Sequence, residues 1–274
     1  MSGGPVSGGP VSELPKTAVM MYTVLEQARE DLEGTLARLA RIGYLGIETY
    51  GLVERFGPGR VREAIGAAGL TLTSAHTPFP AGDRAEAILD ENQELGASVL
   101  VWSMERAEFD SPAAISRGVD RVNEAAERAS ARGMTVAYHN HFAEFSRFFD
   151  GRQAYDLLLD QLDSRVLVEL DLYWARMGGA DPGAVLARLG ERVRLVHVKD
   201  GPAVSYDDDV MVPIGDGPTD WAGVLATPSG VRWHIVELER LHMDVFEALE
   251  GSYAYLTRSG LSSGSVPAPV TPAS

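Results

Sequence analysis

Two histidines and a glutamate fall within eight residues, YHNHFAEF at 138–145, in a chain of 274 residues with only six histidines. Asp171, His197 and Glu237 follow, each at or beside the end of a short apolar run: RVLVEL (165–170), RVRLVHV (192–198) and RWHIVEL (232–238). Imidazoles and carboxylates brought together can pass protons or hold a cation. Left unpaired in an interior they are costly. A divalent ion removes that cost, because Asp, Glu and neutral His are ligands for Mn²⁺, Zn²⁺, Co²⁺, Fe²⁺ or Mg²⁺. One histidine at a strand end is usually a structural hydrogen bonder. His139, Asp171, His197 and Glu237 at four successive run ends point to a metal site.

The elements that must position these residues can be read from periodicity. Candidate strands are TAVMMY (17–22), YLGIET (44–49), LTLTSAH (70–76), SVLVW (98–102), MTVAYH (134–139) and the three runs above. Segments of helical period lie between them: Leu32, Leu36, Leu39 and Ile42 share one face, as do Ile115, Val119, Val122, Ala126 and Ala129. Gly43, Gly69, Gly96 and Gly133 stand at helix-stop positions. Pro112 and Pro182 follow the N-cap types Ser111 and Asp181. Eight strand–helix units predict an α/β fold, a single (β/α)₈ barrel over 16–258. The alternative, a doubly wound sheet, lacks its glycine-rich first turn here. Residues 1–15, with GGPVS twice, and 259–274 are expected to be flexible tails.

Catalysis in such barrels occurs at the C-terminal strand ends. Strand parity puts Ala137 with His139, Leu167 with Glu169 and Asp171, Leu195 with His197, and Ile235 with Glu237. All four polar ends can therefore converge. His234 has the opposite parity and His242 lies beyond the last strand.

A net charge of −15 argues against nucleic acid, whose affinity comes from Lys and Arg neutralising phosphates. No apolar run is long enough for a membrane span, and the N-terminus lacks a signal peptide's basic and apolar regions. With no cysteine, disulfides and thiolate sites are excluded. A cytoplasmic protein is expected, and a homo-oligomer is compatible with it.

In order and spacing, TLARLARIGYLGIE (35–48), YHNHFAEF, LVELDLYWARMGG (167–179), VHVKD (196–200), PIGDGPTDW (213–221) and IVELER (235–240) resemble the sugar phosphate isomerase/epimerase superfamily, the xylose isomerase-like TIM barrels, in its YHNH variant. The resemblance implies one divalent metal, Mn²⁺ first among the ions above. It implies ligands at a carboxylate after strand five, Asp171, His197 and Glu237. Strand five departs from the pattern: His139 stands where many relatives carry Glu, and Glu144 follows past a short loop. The resemblance thus makes Glu144 the fourth ligand, with His139 replacing or joining it.

The chemistry implied is removal of a proton beside a sugar carbonyl to give a metal-stabilised enediolate, followed by isomerisation or epimerisation. Glu144 and Glu237 would act as acid and base, with His139 or His141 as a second proton carrier. His141 can instead serve as a loop hydrogen bonder. The alternative is a lyase or dehydratase acting on keto-sugars, keto-inositols or 3-keto-glycosides by β-elimination. An abasic-site endonuclease and a non-catalytic sugar-binding barrel are weaker readings. His76 and Glu48, at strand ends three and two, can bind sugar hydroxyls, and Trp102 and Trp174 can wall the pocket. Lys199 either contacts substrate or pairs with Asp200. Glu169, one layer below Asp171, supports the ligands. Gly215 and Gly217 make a tight loop that a sugar could approach.

Overall fold

A computed structural model describes residues 13–265. Eight strands form a closed, all-parallel barrel: β1 Lys16–Met20, β2 Gly46–Thr49, β3 Thr71–His76, β4 Val99–Trp102, β5 Thr135–His139, β6 Leu167–Asp171, β7 Val193–Val198 and β8 Trp233–Val236. Each neighbours the next in sequence, and β8 returns to β1, with Thr17 opposite His234 and Ala18 opposite Ile235. The main helices are α1 Leu32–Ile42, α2 Pro58–Ala67, α3 Ala85–Leu95, α4 Pro112–Ala131, α5 Ala154–Gln161, α6 Pro182–Leu189, α7 Trp221–Leu225 and α8 Val245–Arg258. None of the described helices is long and apolar enough to cross a membrane.

The helical stripes do what their period requires. Leu32, Leu36 and Leu39 of α1 are buried, as are Ile115, Val119 and Val122 of α4; each such side chain contributes about 1.5–3 kcal/mol of burial. Ser111 and Asp181 accept hydrogen bonds from the backbone N–H of Ala114 and Ala184, capping α4 and α6. Gly43 ends α1 at φ 119°, and a Cβ there would lie 2.3 Å from the Tyr253 hydroxyl, so both backbone angle and space demand glycine.

Inside the barrel, Ala18, Met20, Val101, Ala137, Leu195 and Ile235 form a small apolar cluster separate from the large core between strands and helices. Trp233 packs against its lower side. Gly46 on β2 leaves room for it: a Cβ would sit 2.8 Å from Thr73 and 2.9 Å from the Trp233 ring. Above this plug the same inward faces turn ionisable.

The chain after α8 departs from the expected tail. Ser263 pairs with Lys16 at the start of β1, Ser265 N–H donates to Gly43, and the Ser262 hydroxyl meets His234 at 2.7 Å. Residues 259–265 therefore belong to the barrel, because they satisfy backbone groups at the open base of β1. Pro15 of the other expected tail accepts the Ser263 N–H, and residues 1–12 and 266–274 lie outside the described residues.

Candidate functional site

The strand ends bring His139, Asp171, His197 and Glu237 to the inward side, an arrangement their parity allows. In β6, Asp171 is opposite His197 of β7, and in β5 His139 is opposite Glu169. Asp171, His197 and Glu237 each offer a donor atom within 4.8 Å of the others. His197 Nδ1 lies 2.7 Å from Glu237 Oε2 and 3.9 Å from Asp171 Oδ2. His139 Nε2 is also 3.9 Å from Asp171 Oδ2. Asp171 additionally caps the helix 172–177 through the Trp174 N–H, and its backbone is clamped on both sides by the Asn140 amide. The strand-six carboxylate is thus fixed from two directions.

A cavity of about 640 Å³ opens above these residues. His76, His139, His141, Lys199, Glu237 and Glu239 are among the groups that line it. Lys199 Nζ sits over the buried carboxylates, 3.0 Å from Asp171 Oδ2 and 2.7 Å from both Glu237 Oε2 and Glu239 Oε1. It does not pair with Asp200, whose carboxylate instead accepts the N–H groups of Gly201, Gly215 and Gly217. The glycine loop therefore wraps Asp200: a Cβ on Gly217 would meet that carboxylate at 2.0 Å. Its tightness has a structural cause.

Glu48 and Glu169 lie one layer deeper, both fully buried. Glu48 Oε1 is 2.9 Å from His197 Nε2 and 3.1 Å from His76 Nε2, and its other oxygen accepts from Ser74. Glu169 Oε2 is 3.1 Å from His76 Nε2 and from His139 Nδ1, and 3.3 Å from His197 Nε2. A carboxylate on the far nitrogen of a ligating histidine fixes its tautomer and ring orientation. Glu48 stands in that relation to His197, below the cavity and out of a sugar's reach.

Glu144 does not join either group. Helical residues 143–146 fold it back behind β5, where Oε1 accepts from the Tyr138 hydroxyl at 2.8 Å and from the His141 N–H at 2.9 Å. Tyr138 has the outward parity of its strand, so its partner lies in the layer between strands and helices. The carboxylate holds the turn that carries His141 rather than facing Asp171, His197 and Glu237 as a ligand. His141 itself lines the cavity, its ring 5.2 Å from that of His139. Trp102 lines the cavity and stacks on Phe79 at 3.8 Å. Trp174 is buried under Lys199, whose ammonium lies 4.7 Å from its ring.

Charge follows this geometry. Burial lowers His197 and Lys199, but carboxylates outweigh it: Glu169, Glu48 and Glu237 hold His197 well above its ordinary range, and Asp171, Glu237 and Glu239 do the same for Lys199. Burial raises Glu237 and Glu48; Lys199 and His197 overcome it for the first, His76 and His197 for the second, and both stay well below the usual carboxylate range. Burial carries Asp171 up to about 6 against Lys199 and His197. Burial, with Glu48 beside it, drives Glu169 well above its usual range. His139 is lowered by burial and then by His197. Glu144 reaches about 8 through burial, despite its hydrogen bonds.

Five carboxylates thus meet one ammonium and a few imidazoles. Asp171 Oδ2 is buried and receives no directed hydrogen bond, and Glu169 Oε1 has no partner. A buried oxygen without a partner, in a cluster where carboxylates outnumber cationic groups, is what a divalent cation would satisfy, so the donor set fits one.

Sequence reasoning missed Glu239, Asn140 and the cavity-lining Tyr22, Tyr50 and Tyr206. Glu239 was within reach, two residues beyond Glu237 and so of the same parity. Tyr22 sits in the short helical turn after β1, and Tyr50 and Tyr206 in loops, where strand parity says nothing.

The sequence model of a family described as a xylose isomerase-like TIM barrel matches residues 36–239. No curated protein matches the chain. A solved sugar phosphate isomerase/epimerase from Parabacteroides distasonis is 25% identical, with a TM-score of 0.78 over 94% of this chain and 100% of that one. A second from the same organism is 21% identical, TM-score 0.73, over 90% and 100%. A probable 3-DHS dehydratase of petrobactin synthesis from Bacillus anthracis is 16% identical, TM-score 0.65, over 88% and 98%.

Proposed function

This chain belongs to the xylose isomerase-like TIM barrel family, and from that premise we propose that it is a divalent-metal-dependent sugar isomerase or epimerase that removes a proton beside a carbonyl. One observation carries the reading: Asp171, His197 and Glu237 offer donor atoms within 4.8 Å of one another beneath an open cavity. The similarity to a sugar phosphate isomerase/epimerase of Parabacteroides distasonis supports the substrate class.

Asp171, His197 through Nδ1, and Glu237 would hold the cation, with Mn²⁺ the first candidate. A bound cation supplies a Lewis acid that polarises the carbonyl and acidifies the adjacent C–H. The chain does the rest. Glu48 keeps His197 aimed through Nε2. Glu237 Oε2 holds Lys199, which leaves Oε1 to accept the proton. Lys199 donates to the oxygen that gains charge. His141, fixed by Glu144 through its backbone N–H, lines the same cavity and would pass a proton taken from solvent to the neighbouring carbon or the opposite face, while Glu237 releases its own to solvent.

A second reading, β-elimination from a substituted keto-sugar, is favoured by the cavity's extent. It continues past the site to Arg29, Glu54 and Glu105, leaving room for a substituent on the ring. Both readings share the first step. Incubation of metal-loaded enzyme with a panel of ketoses and keto-glycosides in heavy water tests it. Deuterium beside the carbonyl is expected, and product analysis separates isomer from eliminated fragment. Turnover with quantitative transfer of substrate hydrogen to the neighbouring carbon in metal-loaded and metal-free protein alike would reject the proposal.

A further inference from the structure

We propose that this barrel carries a second divalent-cation site, one layer below the first, formed by His76, His139, Glu169 and Glu48. It uses β2, β3, β5 and β6, whereas Asp171, His197 and Glu237 come from β6, β7 and β8. His197 separates the two: Nδ1 faces the upper group and Nε2 faces the lower.

Three features carry the inference. The first is spacing. His76, His139, Glu169 and His197 each offer a donor within 4.8 Å of the others, and the carboxylate oxygens lie 3.1 Å from His76 Nε2 (both Glu48 and Glu169) and 3.1 Å from His139 Nδ1. Ligands bonded at about 2.0–2.2 Å around a tetrahedral ion stand roughly 3.3–3.6 Å apart. The three carboxylate–imidazole contacts need open only slightly to reach that.

The second is charge. The upper carboxylates already have an ammonium, Lys199, within 3.0 Å. The lower group has none. Glu48 and Glu169 face the same histidine nitrogens while Glu169 Oε1, fully buried, finds no partner. Two adjacent buried carboxylates therefore share three imidazoles and no ammonium. A cation satisfies the carboxylates and uses the imidazole lone pairs.

The third is access. His76 is the one lower donor with appreciable exposure, 14% of its side chain, and it lines the cavity along with His139. An ion can enter past it. Two imidazoles and two carboxylates suit Zn²⁺, Fe²⁺ or Mn²⁺ over Mg²⁺ or Ca²⁺, which take oxygen ligands.

The test is stoichiometry with location. Full-length protein is stripped with chelator, reloaded with Zn²⁺, desalted and analysed by mass spectrometry of the metal. Crystals of the loaded protein are measured at the zinc edge. We expect two equivalents per chain and two anomalous peaks, one against His76, His139 and Glu169, the other against Asp171 and Glu237. His76→Gln and Glu169→Gln should each fall to one equivalent and keep the upper peak; Asp171→Asn should keep the lower. Circular dichroism checks that the variants fold, and the unmodified protein's count and map stand without them. One equivalent, unaffected by His76→Gln and Glu169→Gln, overturns the second site and leaves the proposed function intact. One equivalent that survives Asp171→Asn but not His76→Gln supports the lower site and overturns the upper placement. No bound zinc overturns both.

Discussion

The two ends of the barrel interior are built from the same strands to opposite specifications. Toward the strand starts, Gly46, Trp233, Leu195 and Ile235 fill the space with apolar volume and no titratable group. Two residues further along β6, β7 and β8 the inward side chains become Glu169, Asp171, His197 and Glu237. The lower end is fixed by packing, where a methyl group is felt. The upper end is fixed by mutual charge, where removing a group can leave the fold unharmed. Stability and chemistry are thus separated by one pleat of the same strand, and mutations on either side should fail differently.

The largest expected effect is Gly46→Val. Its branched side chain would have to enter a space where a single Cβ already lies under 3.0 Å from Thr73 and Trp233. Folded protein should be lost, read as absence of a cooperative thermal transition. The milder Ile235→Ala should cost about 2–5 kcal/mol while metal content is unchanged in the folded fraction. If Ile235→Ala instead removes metal at unchanged stability, the division between the ends is wrong.

At the upper end, Asp171→Asn should do the reverse. Asn still caps the following helix, so the melting temperature should hold within a few degrees. Metal retention and turnover should fall by more than the roughly 10–100-fold typical of groups behind a ligand. Glu48→Gln is such a group, and we expect a loss within that range, about 10–100-fold in metal affinity, measured by competition with a chelator. Equal losses at the upper site in the two variants would mean that Glu48 is itself a ligand of the upper ion.

The smallest effect concerns Glu144, which belongs to neither end. Its folded pKa of about 8 exceeds the ordinary glutamate value of 4.5. The folded state therefore holds a proton that the unfolded chain releases, and stability falls as pH rises between those values. Glu144→Gln keeps acceptors for Tyr138 and the His141 N–H without an ionisable carboxyl. Across pH 5 to 8 the melting temperature of the parent should fall several degrees further than that of the variant. Parallel curves would show that Glu144 is ionised throughout.

What could be read from the sequence follows the same division. Parity along a strand is a property of the strand itself, so a shared side for His139, Asp171, His197 and Glu237 with their apolar strand neighbours was legible, as were the eight units and their glycine stops; which side faces inward was not. Position beyond a strand end depends on how the next loop folds. Glu144 was placed among the ligands because spacing in YHNHFAEF cannot show that residues 143–146 coil back behind β5. Lys199 was weighed against the adjacent Asp200, yet neighbours in an extended chain point apart, and Asp200 turned to its own glycine loop. Glu48 was read as a sugar contact because it ends a strand. Its carboxylate turns instead to His76, His197 and Ser74.

The pairing of Ser263 with Lys16 makes the barrel nearly circular as a polymer, not only as a sheet. Both limits of the described chain lie side by side at the base, on the side of the strand starts, away from the cavity. Joining them would span only a short gap, so the closure cost is small. The protein could then be cut open at an exposed helix-to-strand turn on the same base and keep every strand neighbour it now has. The order in which the eight units are synthesised is therefore incidental to the ring they form, and any of them could come first.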